Sequence, residues 1–220
     1  MAVATQAQQG EDLDRFTGAE RALHWTVAAL LLACALTGLT LYIGSLSAWV
    51  GRRDLVKTVH VFTGLALPVP FVAAYAGRWR SAIRRDFRRL SRWSPSDRRW
   101  LRSRGREAGD QVGKFNAGQK ANAAFIAGMI PLMLATGSIM RWFEPFPLSW
   151  RTGATFVHDW TAIVTWLVVA GHIFVALSQP QALRGMLTGR VARGWAEDHH
   201  PRWARQWARR SSEDPRQDTP

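Results

Sequence analysis

The chain has 220 residues, enough for one domain, with a formal net charge of +13, 12 tryptophans and a single cysteine. The lone Cys34 excludes a disulfide framework and a Cys-x-x-Cys-His haem attachment, and it reads as a small buried apolar residue. A basic balance suits nucleic acid or anionic lipid, but here the charges avoid four stretches and crowd between them, so the mean hydropathy of −0.13 averages apolar spans with very basic loops.

Residues 1–14, with Glu11, Asp12 and Asp14, form an acidic head expected to be disordered. The first span is predicted over 22–43, and its uncharged run continues to Gly51. That is too long for a signal-peptide apolar region of roughly 7–15 residues, so Ser45-Leu46-Ser47-Ala48 is not expected to mark a cleavage site. The second span is predicted over 58–77, the third over 121–141 and the fourth over 156–179, each near the about 20 residues that cross a bilayer. Pro68, Pro70 and Pro131 fall inside them and are tolerable where neighbouring helices satisfy the freed backbone.

Between the second and third spans lies a basic loop, residues 78–120, with twelve arginines and two lysines against four acids. Over 84–100, arginines alternate with Phe87, Leu90 and Trp93, which with Ile83 recur at three- and four-residue steps. That pattern predicts one basic amphipathic helix on the membrane surface. Lipid headgroups are the expected partner rather than nucleic acid, for which no motif is present. The tail after Gln179 holds eight more arginines, with Trp195, Trp203 and Trp207 in an interfacial segment and a disordered end over 208–220. By the positive-inside rule the loop and tail are cytoplasmic, giving an all-α, four-transmembrane-helix bundle with both termini inside. Trp25, Trp49, Trp79, Trp142, Trp150 and Trp160 cluster near the span boundaries as an aromatic belt.

Four histidines, His24, His60, His158 and His172, lie in or beside the spans. An ionisable residue there is costly and marks a functional site by default. His158 and His172 are fourteen residues apart on one predicted helix, about 21 Å along its axis and about 40° from eclipsed. Depth pairs His24 with His172 on the cytoplasmic side and His60 with His158 on the outer side. Neutral imidazole is a common iron ligand and haem iron has two axial positions, so two stacked haems fit between facing helices. Fourteen residues beyond His24 and His60 come Gly38 and Ala74, small residues where the other cofactor would pass. A zinc or di-iron site fits less well, because the spans hold almost no carboxylate. His199 and His200 read as surface residues of the tail.

The sequence resembles the membrane cytochrome b (gamma) subunit of respiratory formate dehydrogenase, within the wider group of di-haem cytochromes b. The shared landmarks are Arg15-Phe16-Thr17, Glu20-Arg21, His24-Trp25, Thr37-Gly38-Leu39, and Lys57 to His60 with Gly64. They continue through the run from Gly113 to Lys120 (Gly-Lys-Phe-Asn-Ala-Gly-Gln-Lys), Gly189-Arg190-Val191, Trp195-Ala196, and His199 to Trp203. They cover residues 15–207, the di-haem membrane domain; the acidic head and the very Arg-rich loop depart from the pattern. The resemblance implies two haem b groups with the pairing His24/His172 and His60/His158. It also implies a quinone site beside the cytoplasmic haem, at Asn116, Gly118 and Gln119. It implies partners too: an iron–sulfur beta subunit and a catalytic alpha subunit, with electrons passing through both haems to quinone in a bacterial inner membrane. The alternatives are a cytochrome b of a hydrogenase or of another molybdenum or tungsten oxidoreductase, and a haem-free membrane scaffold or transporter.

Overall fold

The computed structural model describes residues 12–103, 105 and 109–213; the rest of the acidic head and residues 214–220 lie outside the described residues. The elements begin with β1 (Asp12–Asp14), α1 (Gly18–Tyr42), α2 (Gly44–Val50), α3 (Arg53–Ala66) and α4 (Val69–Ala76). Then come α5 (Arg80–Ser91), α6 (Pro95–Arg102), α7 (Ala117–Arg141), α8 (Leu148–Ser178), α9 (Pro180–Thr188), β2 (Arg190–Ala192), α10 (Arg193–His199) and α11 (Pro201–Glu213). Two compact units result. An apolar unit comprises residues 22–83 and 125–174, and a polar unit comprises the chain up to Arg21, residues 84–124 and the chain from Val175.

Four stretches are long and apolar enough to cross a membrane: α1, α3 with α4, α7 and α8. Their apolar windows are only 6–17% buried, and Leu36, Phe62, Phe71, Leu167 and Phe174 face outward. A water-soluble surface would not carry so much exposed hydrocarbon; lipid removes the penalty. The interior of the apolar unit is small, built on Cys34, Leu67, Met129 and Ile130 with Leu30, Phe125 and Met133 around them. Hydroxyls in the spans are satisfied locally. Thr37, Thr63, Thr136 and Thr165 each donate to the carbonyl four residues earlier at 2.6–2.8 Å.

The second span departs from the single helix expected. The α3 helix ends at Ala66, Leu67 N–H turns back to Gly64 O at 3.2 Å, and α4 starts afresh. Pro68 and Pro70 sit at the start of α4, where a missing N–H costs nothing. Pro131 lies inside α7, which runs on through it. The helices also begin earlier than the uncharged runs suggest: α1 at Gly18, α7 at Ala117 and α8 at Leu148.

The polar unit corrects three expectations. The acidic head is ordered from Asp12: β1 pairs antiparallel with β2, Leu13 opposite Val191, and Asp12 and Asp14 bind Arg184 and Arg190. The 84–100 segment is two helices, because Ser94 and Asp97 cap a new start at Pro95, Asp97 accepting from Ser94 N–H at 2.7 Å. The tail stays helical to Glu213 in α11 instead of losing order at 208. Leu13, Val191, Ala196, Trp203 and Ala204 form the core of this unit. The turn closing it needs Gly189 (φ +93°): its carbonyl accepts from Arg15 and Phe16 N–H at 2.8 and 3.0 Å, and a Cβ there would come 2.6 Å from Phe16 O.

Candidate functional site: two imidazole pairs in the apolar unit

Each of the four span histidines has one close histidine partner. The ring centres of His24 and His172 are 6.2 Å apart, with an interplanar angle of 55°. Those of His60 and His158 are 6.3 Å apart at 73°. His24 thus lies beside His172, and His60 beside His158. His158 and His172 share the continuous helix α8, so the two pairs lie about 21 Å apart along that helix.

His60 and His158 are held from behind. The Nδ1 atom of His60 faces Thr37 Oγ1 at 3.1 Å and Cys34 O at 3.0 Å. The Thr37 hydroxyl proton is already given to backbone, to Ala33 O at 2.6 Å. Both neighbours can therefore only accept, so Nδ1 carries the proton and Nε2 presents its lone pair. His158 repeats the arrangement. Its Nδ1 lies 2.9 Å from Thr136 Oγ1, whose proton goes to Leu132 O at 2.8 Å. A glycine follows each threonine: a Cβ at Gly38 would meet His60 Cε1 at 3.2 Å, and one at Gly137 would meet His158 Cε1 at 3.3 Å. Gly38 thus makes room for the imidazole itself at the level of His60. Sequence reasoning named Thr37 only as a landmark and missed its place at the His60 ring; it missed Thr136 and Gly137 altogether. Their signal is weak, because Thr63-Gly64 repeats the dipeptide beside Cys34, not beside a histidine ring.

Two imidazoles alone do not make a metal cage, and among the described residues no three His, Cys, Asp or Glu side chains converge as one. A metal held by either pair would need its remaining ligands from a prosthetic group. A metal–imidazole bond of about 2.0 Å, with about 1.1 Å from nitrogen to ring centre, puts two axial ring centres about 6.2 Å apart. Both pairs match that spacing, and Gly38 and Gly137 keep side chains off the rings of His60 and His158, so the residues fit haem.

The landmarks of the terminal segments and basic loop converge elsewhere, inside the polar unit. Arg15, 3% exposed, donates through Nη2 to Lys114 O and to His200 Nε2, both at 2.9 Å, under Phe16, Trp195 and Trp203. Burial, partly offset by Asp86, lowers its pKa to about 10. His200 is a correction: it is not a surface residue but buried, its Nδ1 donating to Gly113 O at 2.7 Å. Burial and then Arg15 push its pKa down to about 3. His199 is exposed, as expected. Lys114 bridges two carboxylates, Glu20 at 2.9 Å and Asp86. Burial works against the charge on Asp86, but Glu20 and Lys114 hold its pKa below the usual value.

Every residue of the 113–120 run except Ala117 then has a job within this unit. Phe115 meets Phe16 at 6.2 Å. Asn116 and Gln119 cap α7 reciprocally, Oδ1 accepting from Gln119 N–H at 2.9 Å and Oε1 from Asn116 N–H at 3.0 Å. Gly118 lies under Trp100, where a Cβ would come 3.0 Å from the indole. Lys120 binds Asp97 at 2.8 Å and Arg92 O at 2.9 Å. The helix-start role of Asn116 and Gln119 consumes their side-chain oxygens and leaves their amide NH2 groups.

The chain matches the family model described as prokaryotic cytochrome b561 over residues 15–189. It is 30% identical over 204 residues to the formate dehydrogenase cytochrome b556(fdo) subunit of Escherichia coli K12, covering 87% of this chain and 92% of that protein. It is 29% identical over 196 residues to the nitrate-inducible formate dehydrogenase cytochrome b556(Fdn) subunit of the same strain, covering 85% and 88%. The formate dehydrogenase cytochrome b556 subunit of Haemophilus influenzae is 26% identical over 195 residues, covering 84% and 79%. With a family model matched over most of its length and four membrane-capable helices, the chain belongs to the prokaryotic cytochrome b561 family, as a multi-pass bacterial membrane cytochrome b that binds haem b.

Proposed function

We propose that this chain is the di-haem membrane anchor of a formate dehydrogenase-type complex, with His24 and His172 holding one haem b and His60 and His158 the other. The observation that carries the reading is the presence of two imidazole pairs, each at axial spacing. When bound, the two haems would supply one-electron transfer between an iron–sulfur partner on the outer side and membrane quinone on the cytoplasmic side. The protein supplies the ligands, their tautomers and a dry surrounding. Asn116 and Gln119 would offer their amide N–H groups to a quinone carbonyl, which needs donors at the bilayer edge; Gly118, close to both in sequence, seats the Trp100 indole. The likeness to formate dehydrogenase subunits supports an iron–sulfur beta and a catalytic alpha subunit as partners. The basic loop and tail support an orientation with both termini inside.

A reduced-minus-oxidised spectrum of the purified chain tests the reading, with two b haems expected per chain. Replacing His60 or His158 by Ala should remove one and the same haem, and replacing His24 or His172 the other. Identical residual spectra from the His60 and His172 variants would refute the pairing.

A further inference from the structure

We propose that Thr37 and Thr136 are positioning residues that tune the reduction potential of the haem held by His60 and His158; this rests on the reading that the pair holds a haem. The two histidines sit on α3 and α8, and each is served by the neighbouring helix through the same device, a threonine followed by a glycine. The threonine hydroxyl spends its own proton on its helix backbone, at 2.6 Å from Ala33 O and 2.8 Å from Leu132 O. An oxygen that donates in this way is a stronger acceptor for the imidazole Nδ1–H. The glycine places bare backbone beside the same Nδ1–Cε1 edge of the ring, so hydroxyl and glycine backbone meet the ring together at that edge. The acceptors fix the tautomer, and a side chain at either glycine would crowd the ring. Thr136 is itself buried.

The consequence for the metal follows from electron release. An imidazole whose Nδ1–H is held by an acceptor is the more basic ligand through Nε2 and favours the oxidised metal. Removing the hydroxyl weakens that preference and raises the potential. The carbonyl of Cys34 also accepts from His60, so the proton stays on Nδ1 when Thr37 is changed; the strength of the hold, not the tautomer, is what alters.

The test uses the full chain in membranes with its partner subunits. Thr37→Val and Thr136→Val keep the branched shape and delete the hydroxyl; Thr136→Ser restores it. Redox titration reads the midpoint of each haem, and low-temperature EPR of the oxidised protein reads the orientation of the axial rings. Each Val variant should move the ferric–ferrous equilibrium toward ferrous by about threefold to tenfold, tenfold being about 59 mV for one electron. The shift should be confined to the haem that is lost in His60→Ala, with a changed EPR signature, and Ser should bring both back. Unchanged midpoints and spectra in both Val variants at full haem content would overturn the proposal. So would loss of the haem in Thr136→Val and Thr136→Ser alike, which would make the residue a packing element. If His60→Ala and His158→Ala both keep the full haem content, the haem assignment itself has failed.

Discussion

His200 should impose an acid limit on the polar unit. Its ring is 2% exposed and neutral, because Arg15 donates to Nε2 while Nδ1 donates to Gly113 O. Its pKa is pushed down to about 3, first by burial and then by Arg15. In an opened chain the same residue titrates near 6.5. Between these values the opened form binds a proton that the closed form does not. Stability therefore rises with pH across that window and is level above it. From pH 8 down to pH 5 the loss is about 1.5 pK units, or about 2 kcal/mol, a roughly thirtyfold increase in opening. Hydrogen exchange of peptides spanning residues 190–204, corrected for the intrinsic pH dependence of exchange, reads this directly. The wild-type chain should lose protection by that factor between pH 8 and pH 5. His200→Gln, weaker at pH 8, should show a much flatter profile. His199, which also acts on His200, is controlled by His199→Gln, which should keep the wild-type slope. Equal slopes in the wild type and His200→Gln would refute the reasoning.

Replacing Lys114 by Met leaves Glu20 and Asp86 facing one another without their shared cation, at an expected cost of about 3–5 kcal/mol; a melting temperature within a degree of wild type would contradict this. For the quinone reading, Asn116→Asp keeps the capping oxygen but removes the amide donor, so reoxidation of reduced haem by added quinone should slow severalfold at unchanged haem content. Normal reoxidation in Asn116→Asp and in Gln119→Glu would leave this pair with helix capping alone. A reporter active only outside the cytoplasm, fused after Ser103, should be silent; strong activity would invert the orientation.

The apolar unit was largely legible in the sequence, because lipid imposes length and charge rules on a span and because two histidines fourteen residues apart on one helix fix two depths. What holds the rings was not legible. A threonine in a span satisfies its hydroxyl on its own helix whatever else it does, so Thr37 and Thr136 look like Thr165. The polar unit was read least well. Arg15, Lys114 and His200 come from three distant parts of the chain, and nothing local distinguishes a buried His200 from the exposed His199 beside it. The Gly113–Lys120 run identified the family through residues that bind one another within the polar unit. The break at Ser94 was visible as a residue before proline with an acid at Asp97, but the arginine periodicity runs across it.

The pairing of Leu13 with Val191, and of Arg15 with His200 at 185 residues of separation, has a consequence for biosynthesis. At about 5–20 residues per second, about 10–40 s pass between translation of Arg15 and translation of its partner. During that time all four membrane-capable helices are synthesised while the N-terminal strand has no mate. A nascent chain stopped before residue 190 would keep Leu13, Phe16 and a strand edge open to chaperones and proteases. Closure of the small sheet thus makes the polar unit a check that translation has gone past residue 200.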